Sequence, residues 1–220
     1  MAWASLSTTE SLFLYVACPC KVLGCANLKL IEGKMQERER KYKIRKSYNT
    51  PGQAHELTFT TYHRKPLFAE SANCELFLRC LDTARRRHSF KVWAYVLMPD
   101  HVHLLIFPAH EVHSMAAILK GIKQPFARKV SNSWRATDSI SLDQHSVTRP
   151  SGKREIRIWQ QGGGYDRNIV SEKATLACVE YIHNNPFVAD LADSATGYRW
   201  SSLAWYEGQE DVPFVPDPML

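Results

Sequence analysis

Residues 92–107 read VWAYVLMPDHVHLLIF. Two short apolar runs, rich in β-branched and aromatic side chains, flank a Pro99-Asp100 turn. Such runs are typical of buried β-strands, so this stretch predicts a hairpin. Residues two apart in a strand point to the same face, which places His101 and His103 side by side. Two imidazoles on one strand supply half of the ligands of a catalytic divalent metal, whereas an isolated His-x-His is more often an ordinary pair of strand histidines.

The chain around this hairpin alternates strand and helix patterns. We expect a strand at 55–62, helices at 69–88 and 113–131, a further strand at 154–159, and a third helix that follows Ser171 and ends before Pro186. Pro125 is expected to kink or divide the second helix, and the polar segment 133–154 is expected to be a loop. This order predicts an α+β, ferredoxin-like sandwich. Its central antiparallel sheet carries the His-x-His strand in the middle, and its helices pack on one face.

The length of 220 residues allows one domain with appended segments. We expect an N-terminal extension and basic lead-in at 1–47, one domain at 48–206 and a C-terminal tail at 207–220. The apolar run in residues 1–34 has no basic region before it and is too short to span a membrane. This segment is either a real extension or the result of a start codon assigned upstream of Met35, and we expect it to be dispensable.

Cysteine usage and charge point to a cytoplasmic protein with an anionic partner. The six cysteines are scattered and form no paired Cys-x-x-Cys elements, which argues against a zinc ribbon. The formal net charge of +6 favours nucleic acid over a membrane surface. One basic run alone would be a solvated face, but three runs, at 38–46, 85–88 and 120–129, favour a phosphate-binding surface. The candidate DNA-binding residues are Arg85, Arg86, Arg87, Lys120, Lys123, Arg128 and Lys129.

The third helix supplies a candidate nucleophile. Tyr181 and Asn185 are four residues apart and therefore share a helical face. A tyrosine hydroxyl is a weak nucleophile at neutral pH without help, and an asparagine carbonyl is a suitable third ligand for a hard cation. A lone helix tyrosine is usually a core or boundary aromatic, so the case depends on its combination with the His pair. Tyr165, expected in the loop after Gly162-Gly163-Gly164, is the rival nucleophile.

These segments resemble the single-tyrosine HUH transposases, of the insertion-sequence-200-like type. The matching motifs are LMPDHVHLL (97–105), WQ (159–160), YDR (165–167) and YIHNNP (181–186), and WSS (200–202) resembles the REP-associated tyrosine transposase branch. The resemblance implies that His101 and His103 bind the metal, Mg²⁺ or Mn²⁺, that Asn185 is the third ligand, and that Tyr181 is the nucleophile. It also implies cleavage and rejoining of single-stranded DNA near hairpins through a 5′-phosphotyrosine. We expect a monomer or homodimer, associated with the nucleoid of a prokaryote.

Two other functions and several other residues stay open. A domesticated nucleic-acid-binding protein without catalysis, or a metal-dependent phosphodiesterase that uses water, would keep the same surface. Asp100 could hydrogen-bond a histidine, act as an extra ligand or only form the turn. His55 and His63 are expected to be structural or to face DNA. Three tryptophans could stack on bases, although core packing is the better expectation for each: Trp159, Trp200 and Trp205.

Overall fold

The computed structural model describes residues 49–219, apart from the side chains of Ser139 and Ala195. The expectations for the extension, the basic lead-in and the start at Met35 lie outside these residues. Within them, no helix combines the length and the apolar character needed to cross a membrane.

The described residues form six strands, five α-helices and three short 3-10 helices. In chain order these are β1 (Ala54–Thr60), α1 (Ser71–His88), β2 (Phe90–Met98), β3 (His101–Pro108), α2 (Met115–Thr137), α3 (Ser139–Gln144), β4 (Ser146–Thr148), β5 (Arg154–Ile156), β6 (Tyr165–Ile169), α4 (Glu172–Val188) and α5 (Leu203–Tyr206).

The main sheet has four antiparallel strands in the order β2-β3-β1-β6. This is the strand order of a ferredoxin-like fold, and the hairpin β2–β3 lies where the sequence predicted it. The His-x-His strand, β3, is an inner strand between β2 and β1. The register places His103 opposite Thr58 of β1 and opposite Val96 of β2. The predicted fold class is therefore confirmed.

The helices cover both faces of this sheet, whereas the sequence analysis expected them on one face only. Helices α1 and α2 cover the first face, where Phe77 and Phe126 belong to the same apolar cluster as Leu104. Helix α4 covers the opposite face, where Ile182 belongs to a cluster with Leu105. The reason is the sequence of β2, in which every residue except Lys91 is buried. A strand that is apolar on both faces needs cover on both faces.

Three local expectations are wrong. The fourth strand of the main sheet is Tyr165–Ile169 rather than 154–159, and Tyr165 therefore begins a strand instead of lying in a loop. Residues 133–154 are not a continuous loop, because they contain the end of α2, helix α3 and strand β4, which pairs with β5 in a small separate sheet. Helix α2 continues through Pro125, and α4 continues through Pro186 to Val188.

The C-terminal segment closes the free edge of β2. Leu97 donates its backbone N–H to the carbonyl of Trp200, at 2.9 Å. Further along, Phe214 is buried beside Tyr95, and the backbone N–H of Val92 donates to the Asp217 carboxylate at 2.8 Å. The segment expected as a tail thus packs against the sheet as far as Asp217 and covers backbone groups that an edge strand would otherwise expose.

Candidate active site

The His pair lies on the sheet face that α4 covers. His101, His103 and Leu105 point to the same face of β3, because each is two residues from the next. Leu105 belongs to the cluster under α4, and the residues between these three belong to the cluster on the other face. The two imidazole rings are edge to face, with centroids 4.8 Å apart. The strand therefore holds two ring nitrogen donors next to each other, as the sequence predicted.

Each histidine is oriented through its Nδ1 atom. Asp100 Oδ1 lies 2.5 Å from Nδ1 of His101. Thr58 Oγ1, on the neighbouring strand, lies 2.9 Å from Nδ1 of His103. A carboxylate accepts only, so Nδ1 of His101 donates to Asp100, and in the neutral ring this leaves the lone pair on Nε2. With Nδ1 anchored in both rings, Nε2 is the atom that each ring offers to a ligand.

His103 is neutral at physiological pH. The pKa of His103 is lowered to about 3, mainly by burial. The neighbouring His101 also lowers this pKa, by more than the Asp100 carboxylate raises it. Its Nε2 atom is buried and has no hydrogen-bond partner among the described residues. Neutral imidazole is the metal-binding form, and a buried nitrogen without a partner costs free energy unless a ligand satisfies it.

Asp100 is itself held by the segment that follows β1. Arg64 Nη1 donates to Asp100 Oδ2 at 2.9 Å, and the backbone N–H and the hydroxyl of Thr61 both donate to the Asp100 carbonyl at 2.9 Å. Arg64 and the preceding His63 have left-handed backbones, with φ of 54° and 53°. Two successive non-glycine residues in this region are uncommon and strained. The hydrogen bonds to Asp100 help to hold this turn, which in turn fixes the residue next to His101.

Helix α4 brings Tyr181 to the His pair. The Tyr181 ring is edge to face with His103, with centroids 5.6 Å apart, and 41% of the residue is exposed. Asn185, one turn later, donates its amide N–H to the Tyr181 carbonyl at 2.7 Å, which leaves its Oδ1 atom as an acceptor. Tyr181 therefore faces His103, and Asn185 follows one turn later on the same face of α4.

Tyr165 also lies on this face, at its outer edge. Strand β6 pairs with β1 so that Tyr165 is opposite Thr58, which is in turn opposite His103. Residues opposite each other in an antiparallel pair point to the same side. Tyr165 is thus two strands from His103, about 9–10 Å at the usual strand spacing. Tyr181, by contrast, is in ring contact with His103.

The residues present fit a divalent metal. Two oriented imidazoles and an amide oxygen are a donor set that Mg²⁺ or Mn²⁺ accepts. No cluster of three or more His, Cys, Asp and Glu side chains suited to a metal occurs within residues 49–219. The amide oxygen of Asn185 is a donor of a type outside that set.

The candidate DNA-binding residues fall into two groups. Arg87, Lys120, Arg128 and Lys129 are exposed, and the first three line a groove of about 610 Å³ between α1 and α2. The other three have partners within the protein. Arg85 pairs with Asp82 and Asp217 and covers the Phe214 ring, Arg86 pairs with Asp82, and Lys123 donates to the Gly162 carbonyl.

Most of the other histidines and tryptophans that the sequence singled out contact groups within the protein. His55 is fully buried in β1, with its Nδ1 atom 2.7 Å from an Asp166 carboxylate oxygen, and His63 packs on Tyr62. Trp159 donates its indole N–H to the Lys123 carbonyl at 3.0 Å, and Trp200 packs against the core under α1. His183, within the YIHNNP motif, is buried with Nε2 2.8 Å from the Ser202 hydroxyl, and burial lowers its pKa to about 4.

Sequence reasoning missed two residues of the site, Thr58 and Arg64. Thr58 lies in a strand pattern that has no feature to mark it, and its partner His103 is 45 residues away. Arg64 follows the same strand in a turn that no glycine signals. Only the pairing of β1 with β3 brings either residue to the His pair.

The comparison with known families agrees with this geometry. The family model described as "Transposase IS200 like" matches residues 51–185, which include the His pair, Tyr181 and Asn185. The chain belongs to the IS200-like transposase family. It is a transposase, and its described domain is the one that this family shares.

One solved structure supports the fold. The chain is similar to a REP-associated tyrosine transposase solved bound to a REP hairpin, with a TM-score of 0.60 and 15% identity over 81% of this chain and 94% of that one. A protein described as a transposase from Deinococcus radiodurans R1 covers 64% of this chain and 97% of its own, with 20% identity and a TM-score of 0.39. No curated protein sequence matches the chain.

Proposed function

We propose that this transposase cleaves and rejoins single-stranded DNA near a hairpin, through a covalent bond between Tyr181 and a 5′ phosphate. His101, His103 and Asn185 would hold the divalent metal, Mg²⁺ or Mn²⁺. The observation that supports this most directly is the contact between the half-exposed Tyr181 ring and His103, which has a buried nitrogen without a partner. The structurally similar REP-associated transposase is bound to a REP hairpin, which supports hairpin DNA as the substrate.

The reaction is two successive phosphoryl transfers. In the first, the Tyr181 oxygen attacks phosphorus, the bond from phosphorus to the 3′ oxygen breaks, the phenol releases its proton to solvent and the 3′ oxygen takes one up. In the second, a 3′ hydroxyl attacks the phosphotyrosine and releases Tyr181. The bond energy of the phosphodiester is kept, because water is not the nucleophile. A bound divalent metal would neutralise charge on the phosphate oxygens.

The chain's own residues have separable tasks in this scheme. Asp100 and Thr58 hold the two imidazoles in one orientation. Helix α4 holds the half-exposed Tyr181 against His103, where a DNA strand can reach it. Arg87, Lys120, Arg128 and Lys129 bind phosphates away from the reacting centre, and Arg85, Arg86 and Lys123 contribute charge while they also hold the helices and the glycine loop in place.

Trapping the covalent intermediate tests the proposal. We expect labelled single-stranded hairpin DNA with Mn²⁺ to give a protein–DNA adduct on a denaturing gel, located on Tyr181 by mass spectrometry. Tyr181→Phe should remove the adduct and keep DNA binding. Tyr165→Phe is the matched control, because this tyrosine lies on the same face, and it should still form the adduct. An adduct on Tyr165 refutes the assignment of the nucleophile.

The same experiment separates the two alternative functions. Free 5′ phosphate ends without an adduct would indicate a phosphodiesterase that uses water. Tight binding without cleavage, unchanged in Tyr181→Phe, would indicate a domesticated binding protein. We expect neither outcome.

The salt dependence of binding tests the phosphate-binding surface. Each lost phosphate contact should reduce the slope of log affinity against log salt by about 1. We expect this for Lys120→Gln and Arg128→Gln. Arg135→Gln is the control, since this exposed residue is on the same helix and does not line the groove. Slopes equal to that of the wild type would exclude the groove between α1 and α2 as a DNA-binding surface.

A further inference from the structure

Two histidines outside the candidate active site, His55 and His113, each have a buried Nε2 atom without a hydrogen-bond partner among the described residues. Their rings are edge to face, with centroids 5.9 Å apart. His55 is fully buried in β1, and His113 is partly exposed in the segment that leads into α2. A buried polar atom without a partner costs free energy, so two such atoms in neighbouring rings indicate a shared ligand.

Each ring is oriented through its Nδ1 atom, as in the His pair of the candidate active site. Asp166 Oδ1 lies 2.7 Å from Nδ1 of His55, and the backbone carbonyl of His110 lies 3.1 Å from Nδ1 of His113. A carboxylate and a carbonyl accept only, so both Nδ1 atoms donate, and in the neutral rings both lone pairs are on Nε2. A carboxylate or a carbonyl behind the imidazole is the usual arrangement around metal-binding histidines.

This second pair lies on the other face of the sheet from the candidate active site. His55 is four residues from Phe59 along β1 and points to the same side, where Phe59 belongs to the apolar cluster under α1 and α2. Thr58, which bonds His103, points to the α4 side and is three residues from His55, about 10 Å along the strand. The two histidine pairs are therefore separate sites.

Two nitrogen acceptors can share either a water molecule or a cation. A water molecule would donate to both nitrogens and would still need a donor for its own oxygen, because buried waters typically make about three hydrogen bonds. A metal ion accepts both lone pairs directly. With metal–nitrogen distances of about 2.0–2.1 Å, two imidazoles that share a metal have centroids about 5–6 Å apart, and the observed 5.9 Å lies within that range.

We propose that His55 and His113 bind a divalent transition metal, for which Zn²⁺ is the best-suited ion. Imidazole nitrogen is a good ligand for zinc, whereas Mg²⁺ and Ca²⁺ prefer oxygen ligands. Residues 49–219 contain no group of three or more His, Cys, Asp and Glu side chains suited to a metal, so this part of the chain supplies two ligands and water completes the coordination from the partly exposed side of His113. The metal would fasten the segment before α2 to β1.

Zinc uptake by the full-length protein without an affinity tag tests the site. We expect the wild type to bind one more equivalent of Zn²⁺ than His113→Ala in calorimetric titration, because the variant loses one of two ligands. Zinc should also raise the unfolding temperature of the wild type by about 5 °C or more beyond its effect on His113→Ala, since a metal that binds only the folded state stabilises it. Both proteins keep the six cysteines and the other His pair, so zinc bound there is common to both.

His110→Ala is the matched control. His110 is exposed, and the group that bonds His113 is its backbone carbonyl, which the substitution keeps. This variant should therefore bind as much zinc as the wild type. Asp166→Asn should keep the equivalent of zinc and weaken its affinity by about 10- to 100-fold, as for loss of the partner behind a metal-binding histidine.

Crystals of the wild type soaked in zinc give a second measurement that needs no substitution, with an anomalous peak expected between the two Nε2 atoms. Density without this peak overturns the proposal. Equal zinc uptake and equal stabilisation in the wild type and His113→Ala also overturn it and would leave a water molecule as the occupant. Loss of the same equivalent in His110→Ala would show that the effect belongs to the segment rather than to the ring of His113, which likewise overturns it. Adduct formation at Tyr181 is a separate readout, so failure of this site leaves the proposed function standing.

Discussion

Replacing Asp100 by asparagine removes one charge from the candidate active site and leaves the shape of the turn. The Asp100 carboxylate accepts from Nδ1 of His101 at 2.5 Å, and both side chains are mostly shielded from solvent, with 21% and 17% exposed. Asparagine keeps the size, but its amide oxygen carries no charge. The substitution therefore tests whether this contact raises the affinity of His101 for a metal, rather than only shaping the turn after Pro99.

The magnitude follows from the type of bond. A hydrogen bond to a charged group contributes about 1.5–3 kcal/mol, and loss of a partner that orients a metal-binding histidine typically costs about 10- to 100-fold in metal affinity. These two ranges agree, since 1.4 kcal/mol corresponds to about tenfold. We expect Asp100→Asn to weaken Mn²⁺ binding by about 10- to 100-fold in calorimetric titration, with the unfolding temperature of the metal-free protein nearly unchanged.

Asp143→Asn is the control for a general effect of charge. Asp143 pairs with Arg154 at 3.0 Å on the surface, with 71% of its side chain exposed, so its loss should leave Mn²⁺ affinity unchanged. Manganese affinity of Asp100→Asn within twofold of the wild type would refute the assignment of Asp100 as the group that orients His101. It would leave the aspartate with a role in the turn only.

Two further predictions concern stability. Gly164→Ala should destabilise the protein by about 2–4 kcal/mol in urea unfolding, because φ is +89° and the new Cβ would overlap the Thr58 carbonyl. Gly152→Ala is the control, at φ +79° in open space, and should cost only about 1–2 kcal/mol. Equal losses of stability in the two variants would contradict the steric argument. His183→Ala should cost about 2–4 kcal/mol by removing a buried ring that bonds Ser202, and should leave Mn²⁺ affinity unchanged. A large loss of Mn²⁺ affinity in His183→Ala would instead place this histidine among the ligands.

The elements that the sequence predicted best are those with a strong apolar pattern. The hairpin β2–β3 and the helices α1 and α2 were all located, because their apolar side chains repeat with the strand or helix period. Strand β6 was missed because its sequence lacks a repeating apolar pattern. It reads YDRNI, and its one apolar residue other than Tyr165 is Ile169. Polar residues suit an edge strand, and the half-exposed Arg167 pairs with the buried Glu56 of β1 at 2.8 Å.

Neither Pro125 nor Pro186 interrupts its helix, because the cost of a proline depends on the surrounding residues. Proline inside a helix loses one hydrogen bond and its ring clashes with the carbonyl four residues earlier. For Pro125 that residue is Gly121, whose backbone can adjust more easily than any other. Pro186 lies in the last turn of α4, where few bonds remain to be lost. Tertiary packing of α2 and α4 on the sheet then outweighs the local penalty.

The candidate site shows the same division between local and non-local signals. His101, His103, Tyr181 and Asn185 were found because their spacing within one strand or one helix has a direct chemical meaning. The choice between Tyr181 and Tyr165 depends on the position of the fourth strand of the main sheet, which the sequence analysis expected at 154–159 instead of Tyr165–Ile169. Strand β1 lies between β3 and β6, so Tyr165 is separated from His103 by a whole strand, while α4 crosses over β3 and places Tyr181 in ring contact with that histidine. A nucleophile must reach a phosphate held at the His pair, and direct contact with the pair therefore favours Tyr181.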